Sequence, residues 1–502
     1  MVMQDSQASG TSSRHPIVVP SRSDSLLRTM TEPVGGPLGK RTAPGITNPG
    51  FFTVERVLIL MAAVSTFIAV MAKSHCRTMG WTTPDQQSTV CWSVFPNAFV
   101  EDHLATHFPF FSDGSPFSQP VIAGWIAGIT AWMTRASGDG ALRQLAFFDL
   151  NAILIAALWI ATVVMVARTA GRRPWDAAIV AASPVLVLMA YVSWDFWAVA
   201  LVSLALYLFA RRRTLWAGAV LGVASLAAPY PMLILLILLL LGIRAGRATR
   251  MLEMIAAAAI ALLLFLAPIM ATNPPAIPEY LKALIAAESS ESSIYGGWNI
   301  LAAQVGMPVM GIGMVNALFA ILLAALLLAV AYLALYTPRR PRVGQLIFVA
   351  VAGFVVINKT TEPWHALWLV PLVALAMPRW RPVLLWQAAV LTHFIALMLF
   401  RSKTLGNISN QHAIDAPYFV MAAVLSGAAT CVLIGLTIRD IYVTGHDVVR
   451  RGPIADPQGG AFLDAPGDPA VALLDEAEES FRVPSAEAAP QDASVPKDSQ
   501  DG

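Results

Sequence analysis

The chain alternates long apolar runs with short polar breaks, and the spacing of the breaks predicts its architecture. Apolar stretches near or above ~18 residues, the length a bilayer demands, occupy residues 54–72, 147–168, 251–272, 309–336, 383–400 and 418–440. Between them lie shorter runs in pairs, each pair split by a turn. Residues 175–192 and 196–210 flank Ser193, Trp194 and Asp195, and residues 215–228 and 231–243 flank Pro229, Tyr230 and Pro231. Residues 346–358 and 366–377 flank a hinge reading Lys359, Thr360, Thr361, Glu362, Pro363, Trp364 and His365. One further run, 118–134, reads as a helix lying at a membrane face. The pattern predicts an all-α polytopic membrane protein with about twelve crossings.

Charge gives the crossings a direction. Lysine and arginine cluster between the paired runs, at Arg168/Arg172/Arg173, Arg211 to Arg213, Arg244/Arg247/Arg250, Arg339/Arg340/Arg342, Arg379/Arg381 and Arg450/Arg451. Cytoplasmic loops hold such residues, so both termini are expected inside a plasma (inner) membrane and the polar turns outside. The composition agrees: 57% of the 502 residues are apolar and 13% charged, against about a quarter charged in ordinary soluble domains. Residues 1–50 and 441–502 are rich in small, proline and acidic residues and read as disordered cytoplasmic ends, leaving 51–440 as the transmembrane domain. The acidic tail is a place for a protein partner. Nothing in the chain reads as a nucleotide-binding loop or a nucleic-acid site.

The outward turns carry the ionisable residues. A charge at membrane depth costs about 2.5–3.5 kcal/mol on insertion scales, so such groups usually face a cavity or a partner. The long first outer segment, 74–146, holds Cys76 and Cys91, two thiols that either close a disulfide in an oxidising compartment or remain free. Beyond them, Glu101 and Asp102 are candidate general bases. His103 and His107 have helical i, i+4 spacing but lack a third ligand, which favours a solvated face over a metal site. Asp195, Lys359, Glu362, His365 and Arg401 are candidates for binding a phosphate or sugar, and Tyr295 and Trp298 for stacking on a sugar ring. Each has a plainer alternative: a helix cap for Asp195, snorkelling for Lys359, an ion pair within the hinge for Glu362, interface anchoring for Arg401 and the aromatics.

Four segments in order resemble the GT-C superfamily of glycosyltransferases, and among them the actinobacterial mannosyltransferase-like proteins of glycosyltransferase family 87. They are GRRPWDAA (171–178), SPVLVLMAYVSWDFWAV (183–199), WAGAVLGVASLAAPYPMLIL (216–235) and NKTTEPWHALWLVPL (358–372). The resemblance implies a GT-C-like bundle with a long first extracytoplasmic loop. It implies inverting transfer of mannose from a polyprenyl-phosphate donor, without a cofactor, to a glycolipid or glycan acceptor of the cell envelope. In such relatives an aspartate just after the second loop cysteine is the base. Here Val94 stands at that position, Ala228 replaces a lysine before the Tyr-Pro pair, and FSQPVIAG (117–124) lacks a Glu-Tyr pair. Either Glu101 or Asp102 takes over as base, or the chain is a silent paralogue that binds polyprenyl lipid or assists an envelope enzyme.

Overall fold

The computed structural model describes residues 17–20, 24–31, 53–112, 117–406, 413–450, 456–463 and 465. Most of the two chain ends therefore lies outside the described residues. Among the described residues six helices are long and apolar enough to cross a membrane: α1 (Val54–Met71), α4 (Ala141–Thr169), α9 (Ala248–Thr272), α12 (Ile312–Tyr336), α15 (Trp380–Leu405) and α16 (Ala416–Tyr442). Inside this set are the first-loop helix α2 (Val94–Glu101), α3 (Val121–Met133), α5 (Pro184–Met189), α6 (Asp195–Ala210), α7 (Thr214–Ser225) and α8 (Tyr230–Arg244). Later in the chain come α10 (Ala276–Ala286), α11 (Ile294–Gln304), α13 (Val343–Ile357) and α14 (Ala366–Ala376). The fold is that of an all-helical polytopic membrane protein. At 13 residues and ~1.5 Å per residue, α3 is too short for a ~30 Å hydrocarbon core.

The paired short helices turn at 193–195, 229–231 and the 358–365 hinge as the sequence predicts, but the run 175–192, expected as one half-span, is itself broken at Ser183. The freed backbone groups find partners inside the protein, as a break at membrane depth requires. At the break before α5, Ser183 caps the helix by accepting from the Leu186 amide and donates its hydroxyl to Gln387 Oε1 at 2.9 Å. The indole of Trp159 donates to the Val180 carbonyl at 3.0 Å. α7 and α9 approach closely because Gly218 and Gly222 face backbone: a Cβ on either would sit 2.1 Å from a carbonyl oxygen of α9. Small residues at helix contacts are the usual device for such packing in lipid.

The two ends of the bundle differ in chemistry. At one end, arginines knit the helix termini. Arg342, wholly buried, pairs with Asp447 at 2.7 Å and donates to the carbonyls of Leu375 and Ala376. Arg379 pairs with Asp440, Arg173 with Asp176 and the Val448 carbonyl, and Arg168 with Glu55. The segment after α16, expected to be disordered, folds back here in its described part. Asp456 accepts from the Val343 amide at the start of α13, and Phe462 is buried against Phe209 beneath the Arg340 guanidinium. Gln458 adds to the docking by accepting from the Gly344 amide and donating to the Leu375 carbonyl. At the other end gather the first loop, the 193–195 and 229–231 turns, residues 285–293, the hinge and Arg401.

Candidate functional site

The site begins with the first loop. Lys73 follows α1, and Cys76 and Cys91 are joined as a disulfide, which in the chain-entropy picture is worth about 3 kcal/mol for a loop of this size. Past Cys91 the chain is stitched to the turn before α6: Ser93 donates to the Tyr191 carbonyl and the Val94 amide to the Val192 carbonyl, both at 2.8 Å. Ser93 also caps α2 by accepting from the Phe95 amide, a role suited to its hydroxyl. Val94 thereby lies beside the Ser193-Trp194-Asp195 turn. From there the chain runs on as a helix rather than a loop. Glu101 and Asp102, seven and eight residues along, sit about 11–12 Å further down its axis. Glu101 is exposed. Asp102 is half-buried, and burial together with the neighbouring Glu101 lifts its carboxyl to about 6.

Asp195 opens α6, where the helix N-terminus favours a carboxylate. Its two oxygens are both oriented. Oδ2 accepts from Ser193 Oγ at 2.5 Å and Oδ1 from Trp368 Nε1 at 2.9 Å. The Trp368 ring stacks on Tyr230 (centroids 4.8 Å apart) and on His365 (4.3 Å). His365 Nδ1 accepts the Glu362 amide at 3.1 Å, so the neutral ring carries its proton on Nε2. Trp364 meets Trp92 of the first loop at 5.3 Å. Four separate stretches, 91–94, 191–195, 230 and 364–368, therefore converge around one carboxylate and one imidazole.

The remaining expected residues lie on the flank of this cluster. Lys359 is 7% exposed. Its ammonium donates to the carbonyls of Ile285 and Ala287 (2.9 Å each) and to Asn316 Oδ1 (2.8 Å), which engages all three of its donors. Burial lowers its pKa. Tyr295 is buried and donates to the Ile357 carbonyl at 3.0 Å, whereas Trp298 is 46% exposed. Arg401 bridges Glu291 at 2.8 Å and Glu362 at 2.9 Å. Burial raises the Glu362 carboxyl above its usual range, against the pull of that guanidinium. Among the described residues no three histidine, cysteine or acidic side chains gather as metal ligands.

One residue escaped the sequence reading. Lys73 is fully buried and donates to the Trp92 carbonyl at 3.1 Å, with burial bringing its pKa down from 10.5 to about 7. The one signal for it was a lone lysine between the first span and Cys76. Between pH 7 and 10.5 the unfolded chain keeps a proton here that the folded chain releases, so folded stability rises with pH across that window. We expect the thermal midpoint in detergent to climb from pH 7 to pH 10 and Lys73→Met to flatten that climb. Equal slopes in the two proteins would contradict the burial.

Residues 120–358 match the model of glycosyltransferase family 87. The matched stretch contains Asp195, Tyr230 and Tyr295. It ends at Asn358, before the hinge, and begins at Pro120, inside the long first outer segment and beyond Val94, Glu101 and Asp102. Neither the curated proteins nor the solved structures contain a match. Together with the apolar helices, the family match supports a membrane glycosyltransferase.

Proposed function

We propose that the chain transfers a sugar, mannose in the first instance, from a polyprenyl-phosphate donor to a cell-envelope lipid or glycan on the outer face of the plasma membrane. The observation that carries this reading is the doubly oriented Asp195 carboxylate beside Val94, the position where relatives are expected to hold their base. Asp195 takes the proton of the acceptor hydroxyl, whose oxygen attacks the anomeric carbon. The bond from that carbon to the phosphate oxygen breaks, and the lipid phosphate leaves with the electron pair. Attack from the face opposite the leaving group inverts the centre. His365 Nε2–H is a donor for the departing phosphate, and transition-state charge is where such a donor acts. Lys359 holds the 285–287 segment against the hinge. The polar turns face outward because the opposite end is ringed with arginine.

The test is transfer by purified protein in liposomes, offered either polyprenyl-phosphate hexose or nucleotide-activated hexose with an envelope lipid extract as acceptor. Transfer from the lipid donor alone is the expected result, and transfer from the nucleotide donor alone would overturn the reading. A silent, lipid-binding paralogue is the second reading. It is favoured by Ala228 at the expected lysine and by the fully engaged Lys359 ammonium. It predicts donor binding with no transfer.

A further inference from the structure

The segment after α16 docks on three helices, and the same three carry the Asp195 cluster. Asp456 accepts from the Val343 amide, and Gln458 accepts from the Gly344 amide and donates to the Leu375 carbonyl. These bonds reach the first residues of α13 and the last turn of α14. Phe462, 1% exposed, meets the Phe209 ring near the end of α6 with centroids 5.2 Å apart, and its carbonyl accepts from Arg340. At their far ends these helices hold the site. α6 opens with Asp195, α14 carries Trp368, whose indole donates to Asp195, and α13 leads into the hinge. Two glycines show how close the docking is. A Cβ on Gly344 would sit 2.3 Å from Gln458 Oε1, and one on Gly460 would sit 2.1 Å from the Phe209 carbonyl oxygen. Gly460 also has a φ of 48°, a left-handed backbone that favours glycine.

Arg342 joins α13 to α14 through the Leu375 and Ala376 carbonyls, and the docked segment adds α6 to that tie. α6 and α13 have 16 and 15 residues, so they run ~24 and ~22 Å at ~1.5 Å per residue. α14 packs against both. Rigid helices in contact along their flanks carry a shift at one end to the other. The spacing set at the arginine end therefore reaches the pairing of Asp195 with Trp368. We propose that the ends of α6, α13 and α14 form a peptide site, that residues 456–463 occupy it, and that occupancy sets the geometry of the Asp195 cluster. The inference concerns that geometry and holds whether or not the cluster transfers sugar.

The test is amide hydrogen exchange of the full chain in phosphatidylcholine nanodiscs, read by mass spectrometry. The cluster has its own reporters: the Val94 amide is bonded to the Val192 carbonyl and the His365 amide to the Glu362 carbonyl. Phe462→Ala removes the docked ring, and Gly460→Val drives a side chain into the Phe209 carbonyl. Both variants should open 456–463 to exchange. Both should also speed exchange at 92–97 and 358–366 by about 5–150-fold, the usual span of coupling between two sites. Peptides of α9 and α12, which report global opening, should keep their wild-type rates. A free peptide of residues 456–465, at the roughly millimolar level that a short tether provides, should restore protection in Phe462→Ala. The same peptide carrying Phe462→Ala should not. Release of 456–463 with wild-type rates at 92–97 and 358–366 would overturn the proposal. So would faster exchange spread equally over α9 and α12, no release in either variant, or failure of the native peptide to restore protection.

Discussion

Asp195→Asn is expected to lower sugar transfer by about 10²–10⁴-fold, the usual contribution of a positioned general base. The substitution is chosen because asparagine keeps the shape of the side chain. Its carbonyl still accepts from Trp368 Nε1, and its amide can sit opposite Ser193. The fold therefore persists while the proton acceptor is lost, so turnover should collapse with little change in donor KM. Trp368→Phe, which removes one orienting hydrogen bond, should cost less. Val94→Asp added to Asp195→Asn should recover part of the lost rate, because Val94 is tied by its own amide to Val192 of the same turn. Asp102 provides the contrast. With its carboxyl near 6, an Asp102 base would make the rate rise with pH through that value. Loss of that rise in Asp102→Asn, with Asp195→Asn fully active, would move the base to α2.

The largest expected effect on stability is at the other end of the molecule. Asp447→Asn removes the hydrogen-bonded carboxylate that buried Arg342 shares with Arg450, and breaking a buried pair from one side costs about 3–5 kcal/mol. Both side chains are essentially inaccessible, at 0% and 1%. Arg342 also ties the last carbonyls of α14 to the start of α13, and Gln345 Nε2 donates to the same Asp447 carboxylate. The loss should therefore loosen three helix ends together. Arg168→Ala is the control. Its pair with Glu55 is about half exposed, and surface pairs are worth about 0–1 kcal/mol. Residual folded fraction after heating in detergent, compared across the three proteins, reads the difference. Equal loss in both variants would contradict the buried-pair account.

The spans were legible in the sequence because the bilayer imposes their length. Residues 251–272 and 309–336 were expected, and Ala248–Thr272 and Ile312–Tyr336 are found. The paired half-spans were legible through their polar turns. Individual side-chain roles were harder to read, because they depend on partners distant in the chain. A lysine at the tip of an apolar hairpin looks free, but the acceptors of Lys359 come from residues 43 to 74 positions away. Glu101 and Asp102 follow the second loop cysteine closely enough to suggest re-aiming by a loop. The Ser93 cap and the stitching at Val94 instead start a helix that carries them off. The docking of Phe462 and the burial of Lys73 likewise depend on surfaces assembled from remote segments.

Sugar transfer from a lipid donor of the outer leaflet requires the Asp195 end of the bundle to face outward and the arginine-knit end inward. In a Cys431→Ser background, where Cys76 and Cys91 are bonded to each other, single cysteines are placed at exposed Glu288, in the segment Lys359 anchors, and at exposed Val443, beside the arginine end. A membrane-impermeant maleimide applied to intact cells should label Glu288→Cys at once and Val443→Cys only after lysis. Labelling of both from one side, or of Val443→Cys alone in intact cells, would contradict the account.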